Sequence, residues 1–266
     1  MAASEHAIDQ EQNRLFRRLC STFLRPIDVN ETYEIDEEIG HGAFGAVCKV
    51  LNRHTGEVGA MKTLKLDQTT RADKNLESEV MTLVELRAYD NIVKVFDIFM
   101  GVDDQLHLVM ELCDGDLAGH MSSQDNHEPL SLFNMAQQAA KGLDVLHSHS
   151  PPIIHRDIKP QNILISRDHS TNELVVKLAD FGISRNVETH DITASTANAQ
   201  PAILTDVIRG TQPYWAPEYC AALDGVGMKD GKNCFNASVD IFALGLVYAY
   251  IFCYKDNRYG KKSYAF

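Results

Sequence analysis

Apolar and β-branched residues first cluster in short runs at 33–39, 46–51 and 57–66, broken by glycine-containing turns, which predicts an antiparallel meander. Residues 73–87 then follow a helical period, and 92–99 and 105–111 return to the strand pattern. Residues 33–111 are therefore expected to form a small β-rich lobe with one helix, followed by a hinge at 112–115. Beyond the hinge the period changes. Leu132, Ala136, Ala139, Ala140, Leu143 and Leu146 fall at helical spacing within 130–147, and Pro151-Pro152 stops that helix. Residues 116–266 are expected to be mainly helical. Ahead of both regions, Ile8, Leu15, Phe16, Leu19, Phe23 and Leu24 suit an amphipathic helix in an extension covering 1–32. The fold class read from this order is α+β.

Composition narrows the function. With 266 residues and 44% hydrophobic content the chain can bury a substantial core. A net charge of −12 disfavours nucleic acid and anionic membrane as partners, because both are recognised by basic surfaces. The six cysteines form no C-x-x-C pair. The N-terminus lacks the basic start and apolar block of a secretory signal, so a cytoplasmic location is expected, with the nucleus left open. Residues 241–254 are uncharged for 14 positions, short of the about 20 needed to span a bilayer, and read as a buried core helix.

Three groups of residues carry chemistry. Gly40-His41-Gly42-Ala43-Phe44-Gly45-Ala46-Val47 lies between two expected strands, and its glycines let backbone N–H groups approach phosphate oxygens. A strand rather than a helix follows, which argues against a dinucleotide-binding turn. On the strand after that, a period of two places Val58, Ala60, Lys62 and Leu64 on one face. In the helix at 73–87, Glu79 lines up with Leu76 and Leu83 while Glu77 points away, so Glu79 is the candidate partner of Lys62. The third group is His155-Arg156-Asp157-Ile158-Lys159-Pro160-Gln161-Asn162, followed by Asp180-Phe181-Gly182. It supplies two carboxylates, a lysine and an amide.

In this order the three groups resemble the eukaryotic protein kinases of the Ser/Thr branch. The resemblance implies a bilobal fold that transfers the γ-phosphate of ATP to a Ser or Thr hydroxyl of a protein substrate, with Mg²⁺ as cofactor. It implies that Asp157 accepts and orients the substrate hydroxyl, that Lys159 neutralises charge near the γ-phosphate, and that Asn162 and Asp180 hold the metal ions. It assigns Lys62 to the α and β phosphates, with Glu79 as its ion-pair partner. The nucleotide site it implies comprises Ile39, Gly40, Gly42, Gly45, Val47, Ala60, Met110, Glu111, Cys113 and Leu164. Lys159 and the Gly210-Thr211 pair ahead of Tyr214-Trp215-Ala216-Pro217-Glu218 match the Ser/Thr form. Asp240 matches a buried aspartate that bonds the catalytic-loop backbone. Arg156 implies control by phosphorylation between Asp180 and Glu218, where Thr193, Ser195, Thr196, Thr205 and Thr211 are the candidates. His147 and His149, without further ligands beside them, are expected to be solvated imidazoles at a helix end.

The resemblance covers 33–254, while a usual kinase continues through several more helices and an arginine that pairs with the glutamate of A-P-E. The second lobe is accordingly expected to be incomplete after the central helix, as a fragment, as a domain completed by a partner, or with its own tail as substitute. Glu218 is expected to lack a partner, at a cost of roughly 3–5 kcal/mol if buried. A nucleotide-binding regulatory scaffold is the rival reading, and a small-molecule kinase is disfavoured by the A-P-E segment. Residues 155–166 and 238–245, with Tyr259-Gly260-Lys261, are also similar to the kinase part of the inositol-requiring kinase/endoribonuclease family. RNA cleavage is not carried over, because the ribonuclease part has no counterpart here.

Overall fold

The structure is a computed structural model that describes residues 27–42, 45–65, 85–102, 105–123, 128–150, 152–168, 170–180, 203–205, 210–223, 228–229 and 232–253. The chain divides into two compact units, Met1–Ala88 with Lys94–Leu112, and Tyr89–Val93 with Cys113–Phe266. The helix expected within residues 1–32 lies outside the described residues except for one turn, α1 (Val29–Thr32), whose first free N–H groups are capped by Asp28.

The first unit is a five-stranded antiparallel sheet of β1 (Tyr33–Gly42), β2 (Gly45–Asn52), β3 (Val58–Lys65), β4 (Val95–Met100) and β5 (Gln105–Glu111), in the order β1-β2-β3-β5-β4. All five strands expected from the sequence are present. Opposed residues share a face of a sheet. One face carries Val50, Met61, Phe99 and Val109, which pack with Val29 and Tyr33 into a core. Tyr33 stacks on Phe99, and Phe99 on His107. The Tyr33 hydroxyl donates to Asp97 Oδ2 at 3.1 Å, and burial, reinforced by that carboxylate, pushes the phenol pKa well up. The sheet edge at β4 is extended by Ile27, which forms a parallel bridge to Gly101, donates from its N–H to Met100 O and accepts from Val102 N–H.

In the second unit, β6 (Gly115–Asp116), β7 (Ile163–Arg167) and β8 (Leu174–Leu178) form one three-stranded sheet. β9 (Ile203–Thr205), β10 (Met228–Lys229) and β11 (Lys232–Phe235) form another. Among the described residues the α-helices of this unit are α2 (Leu117–Ser123), α3 (Pro129–His147), α4 (Pro217–Leu223) and α5 (Ser238–Cys253). The described part of this unit is mainly helical, as expected, and adds short strands that carry too few residues to show a period. Within the stretch 112–115 expected as a hinge, Asp114 N–H donates to Ile165 O and Gly115 pairs with Ile165, which ties both to the second unit's sheet.

α5 presents Val239, Asp240, Ala243, Leu244, Val247 and Ile251 inward, and Tyr248 donates its hydroxyl to Ala136 O of α3. Ile241, Phe242 and Phe252 are exposed, so the helix is buried on one face rather than all round. Among the described residues no helix is long and apolar enough to cross a membrane.

Candidate active site

Each unit positions its own set of site residues. In the first, strand register fixes Lys62: it pairs with Val47 on β2 and Leu108 on β5, and the neighbouring row pairs Ala60 with Lys49 and Met110. Val47, Ala60, Lys62 and Met110 thus share the face opposite the Tyr33 core. Lys62 is buried, as are Ala60 and Met110. A lysine in that setting needs counter-charge or hydrogen bonds to stay ionised. The expected partner, Glu79, lies outside the described residues.

The glycine segment forms the β1–β2 hairpin, with Gly40 opposite Val47 and Gly42 opposite Gly45. Gly45 has φ +135°, and a Cβ there would sit 2.1 Å from Thr63 O. Only glycine permits that approach. Ile39 is 45% exposed at the start of the hairpin, so its apolar side chain is open to an occupant. Glu111 ends β5 with its N–H bonded to Lys94 O, and its carboxylate accepts from Lys94 N–H at 2.7 Å.

In the second unit, residues 155–162 form a loop that is organised by side chains. Asp240, 1% exposed, accepts from Arg156 N–H at 2.7 Å through Oδ1 and from His155 N–H at 2.8 Å through Oδ2. His155 Nε2 donates to Ala179 O at 2.9 Å, leaving Nδ1 to accept from Asp157 N–H at 3.4 Å. Arg156 has φ +64° and Asp180 φ +60°, both left-handed conformations that non-glycine residues adopt only under constraint.

The side chains of this loop converge on Asp157. Lys159 Nζ lies 2.9 Å from Asp157 Oδ2, and Thr211 Oγ1 donates to Asp157 Oδ1 at 2.8 Å while accepting from Lys159 Nζ at 2.7 Å. Asn162 Nδ2 donates to both the carbonyl and Oδ2 of Asp157, each at 2.8 Å. Those two bonds identify the amide nitrogen, so Asn162 Oδ1 is the atom that can act as a ligand. Ala179 N–H donates to Asn162 O, which sets Asp180 directly beside that residue along the chain. Leu164, expected at the nucleotide, lies on β7 of this unit, and Cys113, partly buried, is the first residue of the unit's longer stretch.

Two expectations are corrected. His147 is not solvated: its Nε2 sits 2.9 Å from Asp240 Oδ2 with only 15% of the side chain exposed. It lies four residues after buried Leu143 on α3, the signal that it faces inward. Glu218 has a partner, since Ser238 Oγ donates to its Oε1 at 3.0 Å, and it is exposed, so the penalty of a buried unpaired carboxylate does not arise. Thr211, expected as a modification site, is the bridge between Asp157 and Lys159. Thr205 lies on β9, opposite Asn233, and Thr193, Ser195 and Thr196 fall outside the described residues. Among the described residues no cluster of three His, Cys, Asp or Glu could hold a metal. Magnesium needs no such cage, because it takes one or two protein oxygens together with phosphate and water.

The comparisons with known proteins agree with this geometry. A family model described as protein kinase domain matches residues 33–264. The chain is 34% identical over 229 residues to mouse myosin-IIIa, covering 82% of this chain and 13% of that protein. It is 30% identical over 236 residues to the serine/threonine-protein kinase TIO of Arabidopsis thaliana, covering 88% and 16%. A probable myosin light chain kinase of Dictyostelium discoideum is 26% identical over 241 residues, covering 90% and 54%. The chain thus spans between about an eighth and just over half of the length of these relatives. With the family matched across nearly its whole length, the chain belongs to the protein kinase family.

Proposed function

We propose that this chain transfers the γ-phosphate of Mg-ATP to serine or threonine hydroxyls of protein substrates. The observation that carries this reading is the convergence of Lys159, Thr211 and Asn162 on Asp157. A carboxylate oriented by three donors, and still 25% exposed, can accept a hydrogen bond from an incoming hydroxyl and set its line of attack. Lys159 balances charge that builds on the transferred phosphoryl group. Thr211, held between the two, belongs to the segment expected to receive the acceptor peptide.

In the same reading Lys62 takes the α and β phosphates with Glu79 as its ion-pair partner. The adenine lies against Val47, Ala60, Met110 and Leu164, with Ile39 beside it, and bonds to the backbone of Glu111 and Cys113. Gly40, Gly42 and Gly45 let the hairpin backbone close over the phosphates. Asn162 and Asp180 suit Mg²⁺, being oxygen donors adjacent through the Ala179 bond. The metal would supply charge neutralisation between the phosphates. Arg156 is proposed to pair with a phosphate on Thr193, Ser195, Thr196 or Thr205.

Phosphate incorporation from Mg-ATP into the chain itself and a generic protein substrate tests the proposal. Asp157→Asn should lower the rate by about 10²–10⁴-fold. Equal rates in folded wild-type and variant protein would replace the kinase reading with that of a nucleotide-binding scaffold.

A further inference from the structure

Against the inner side of the catalytic loop lies a small, largely enclosed cavity of about 10 Å³, bordered by Arg156, Asp157, Thr211, Trp215, Tyr219 and Asp240. Two polar atoms on its lining residues, Trp215 Nε1 and Tyr219 Oη, are buried with no hydrogen-bond partner among the described residues. Tyr219 is 2% exposed. Its ring is wedged edge-on between Phe235 at 4.2 Å and Trp215 at 6.3 Å, so it cannot swing outward to find solvent. Tyr219 borders the cavity together with Arg156 and Asp240. The indole nitrogen faces the seam between the Gly210 segment and the loop: the Cβ position of Gly210 is 3.4 Å from Trp215 Nε1 and 2.3 Å from Arg156 O.

Buried polar groups without a protein partner are rare and call for an explanation, an ordered water or ion being one. The chemistry of the lining selects the guest. An indole N–H only donates, so the guest must accept. The Asp240 carboxylate on the wall opposes an anion, and the indole N–H opposes a cation. The volume admits one water and nothing larger. We propose that this cavity is an internal water-binding site, in which a single water accepts from Trp215 Nε1 and hydrogen bonds to Tyr219 Oη, tying together two residues of the segment 210–219 where it packs beside the catalytic loop. That segment also carries Thr211, the residue that bridges Asp157 and Lys159, so the water stiffens the stretch from which Thr211 reaches the loop.

The test combines a crystal structure of the full chain, at a resolution that places ordered waters, with thermal melting of Tyr219→Phe. This substitution keeps the ring and removes only the hydroxyl. The expected result is one water within hydrogen-bond distance of both atoms, and a melting temperature lowered by about 2–4 °C in the variant. A dry cavity overturns the proposal. So does a variant that melts at or above the parent, because removing a hydroxyl that held nothing relieves a desolvation penalty. Should Tyr219→Phe fail to fold, the parent's electron density decides alone. The outcome is independent of whether Asp157→Asn abolishes phosphate transfer.

Discussion

Lys62 lies in the middle of three hydrogen-bonded strands with Val47 and Leu108 flanking it in register, whereas Asp157 lies in a loop that joins no strand ladder and takes its place from side chains. In the sheet, moving Lys62 to the other face would require a one-residue slip of the whole ladder. In the loop, two backbone N–H groups depend on one carboxylate. The sheet spreads its positioning over many weak bonds, and the loop concentrates it in Asp240. The loop should therefore be the more brittle of the two.

The largest effect should come from Asp240→Ala. It strips the partner from His155 N–H, Arg156 N–H and His147 at once, and should cost about 3–5 kcal/mol of stability. Urea unfolding followed through Trp215, the single tryptophan, measures it. A loss below about 1 kcal/mol would show that the loop holds its shape without this hub. Gly45→Ala sharpens the other side of the comparison, because its Cβ would collide with Thr63 O in a backbone conformation alanine avoids. A cost of about 1–3 kcal/mol is expected by the same unfolding measurement. Gly56→Ala, at φ +73° with open space around it, is the control and should cost less. If the two glycines behave alike, the close approach of β2 to β3 does not constrain the sheet.

The smallest effect belongs to the turn between β7 and β8. Bonds from the Ser170 hydroxyl, and then from the N–H groups of Thr171 and Ser170, hold the Asp168 carboxyl at about 2. A folded-state value below the unfolded one stabilises the fold above the usual carboxylate range, and that contribution fades as pH falls towards about 2. Ser170→Ala should raise the Asp168 value towards the usual range in a carboxyl NMR titration and leave phosphate transfer unchanged. An unmoved titration would mean that the backbone bonds alone set it.

The sequence made the first unit legible because strands of six residues or more announce themselves by alternation, and because Lys62 and its glycine hairpin follow a period of two. The catalytic loop was readable only through residue identity, since 155–162 has no period at all. What stayed hidden was the set of contacts that depend on tertiary approach. Nothing local to His147 says that it will meet Asp240, 93 residues further along the chain. Likewise Thr211 looks like any hydroxyl in a polar stretch until the fold sets it against Asp157. Strands of two to four residues such as β6 and β9–β11 are too short to leave a pattern, so the sequence showed the helices of the second unit and not its small sheets.

The bridge from Ile27 to Gly101 bears on where this domain begins. The family match starts at Tyr33, yet the folded sheet already uses Ile27 to occupy Met100 C=O and Val102 N–H beside edge strand β4. An uncovered edge of this kind is a template for another chain to add a strand. Ile27 thus closes two backbone groups at the Gly101 end of this edge, and a fragment cut at the boundary of sequence similarity is expected to leave them open to its own copies.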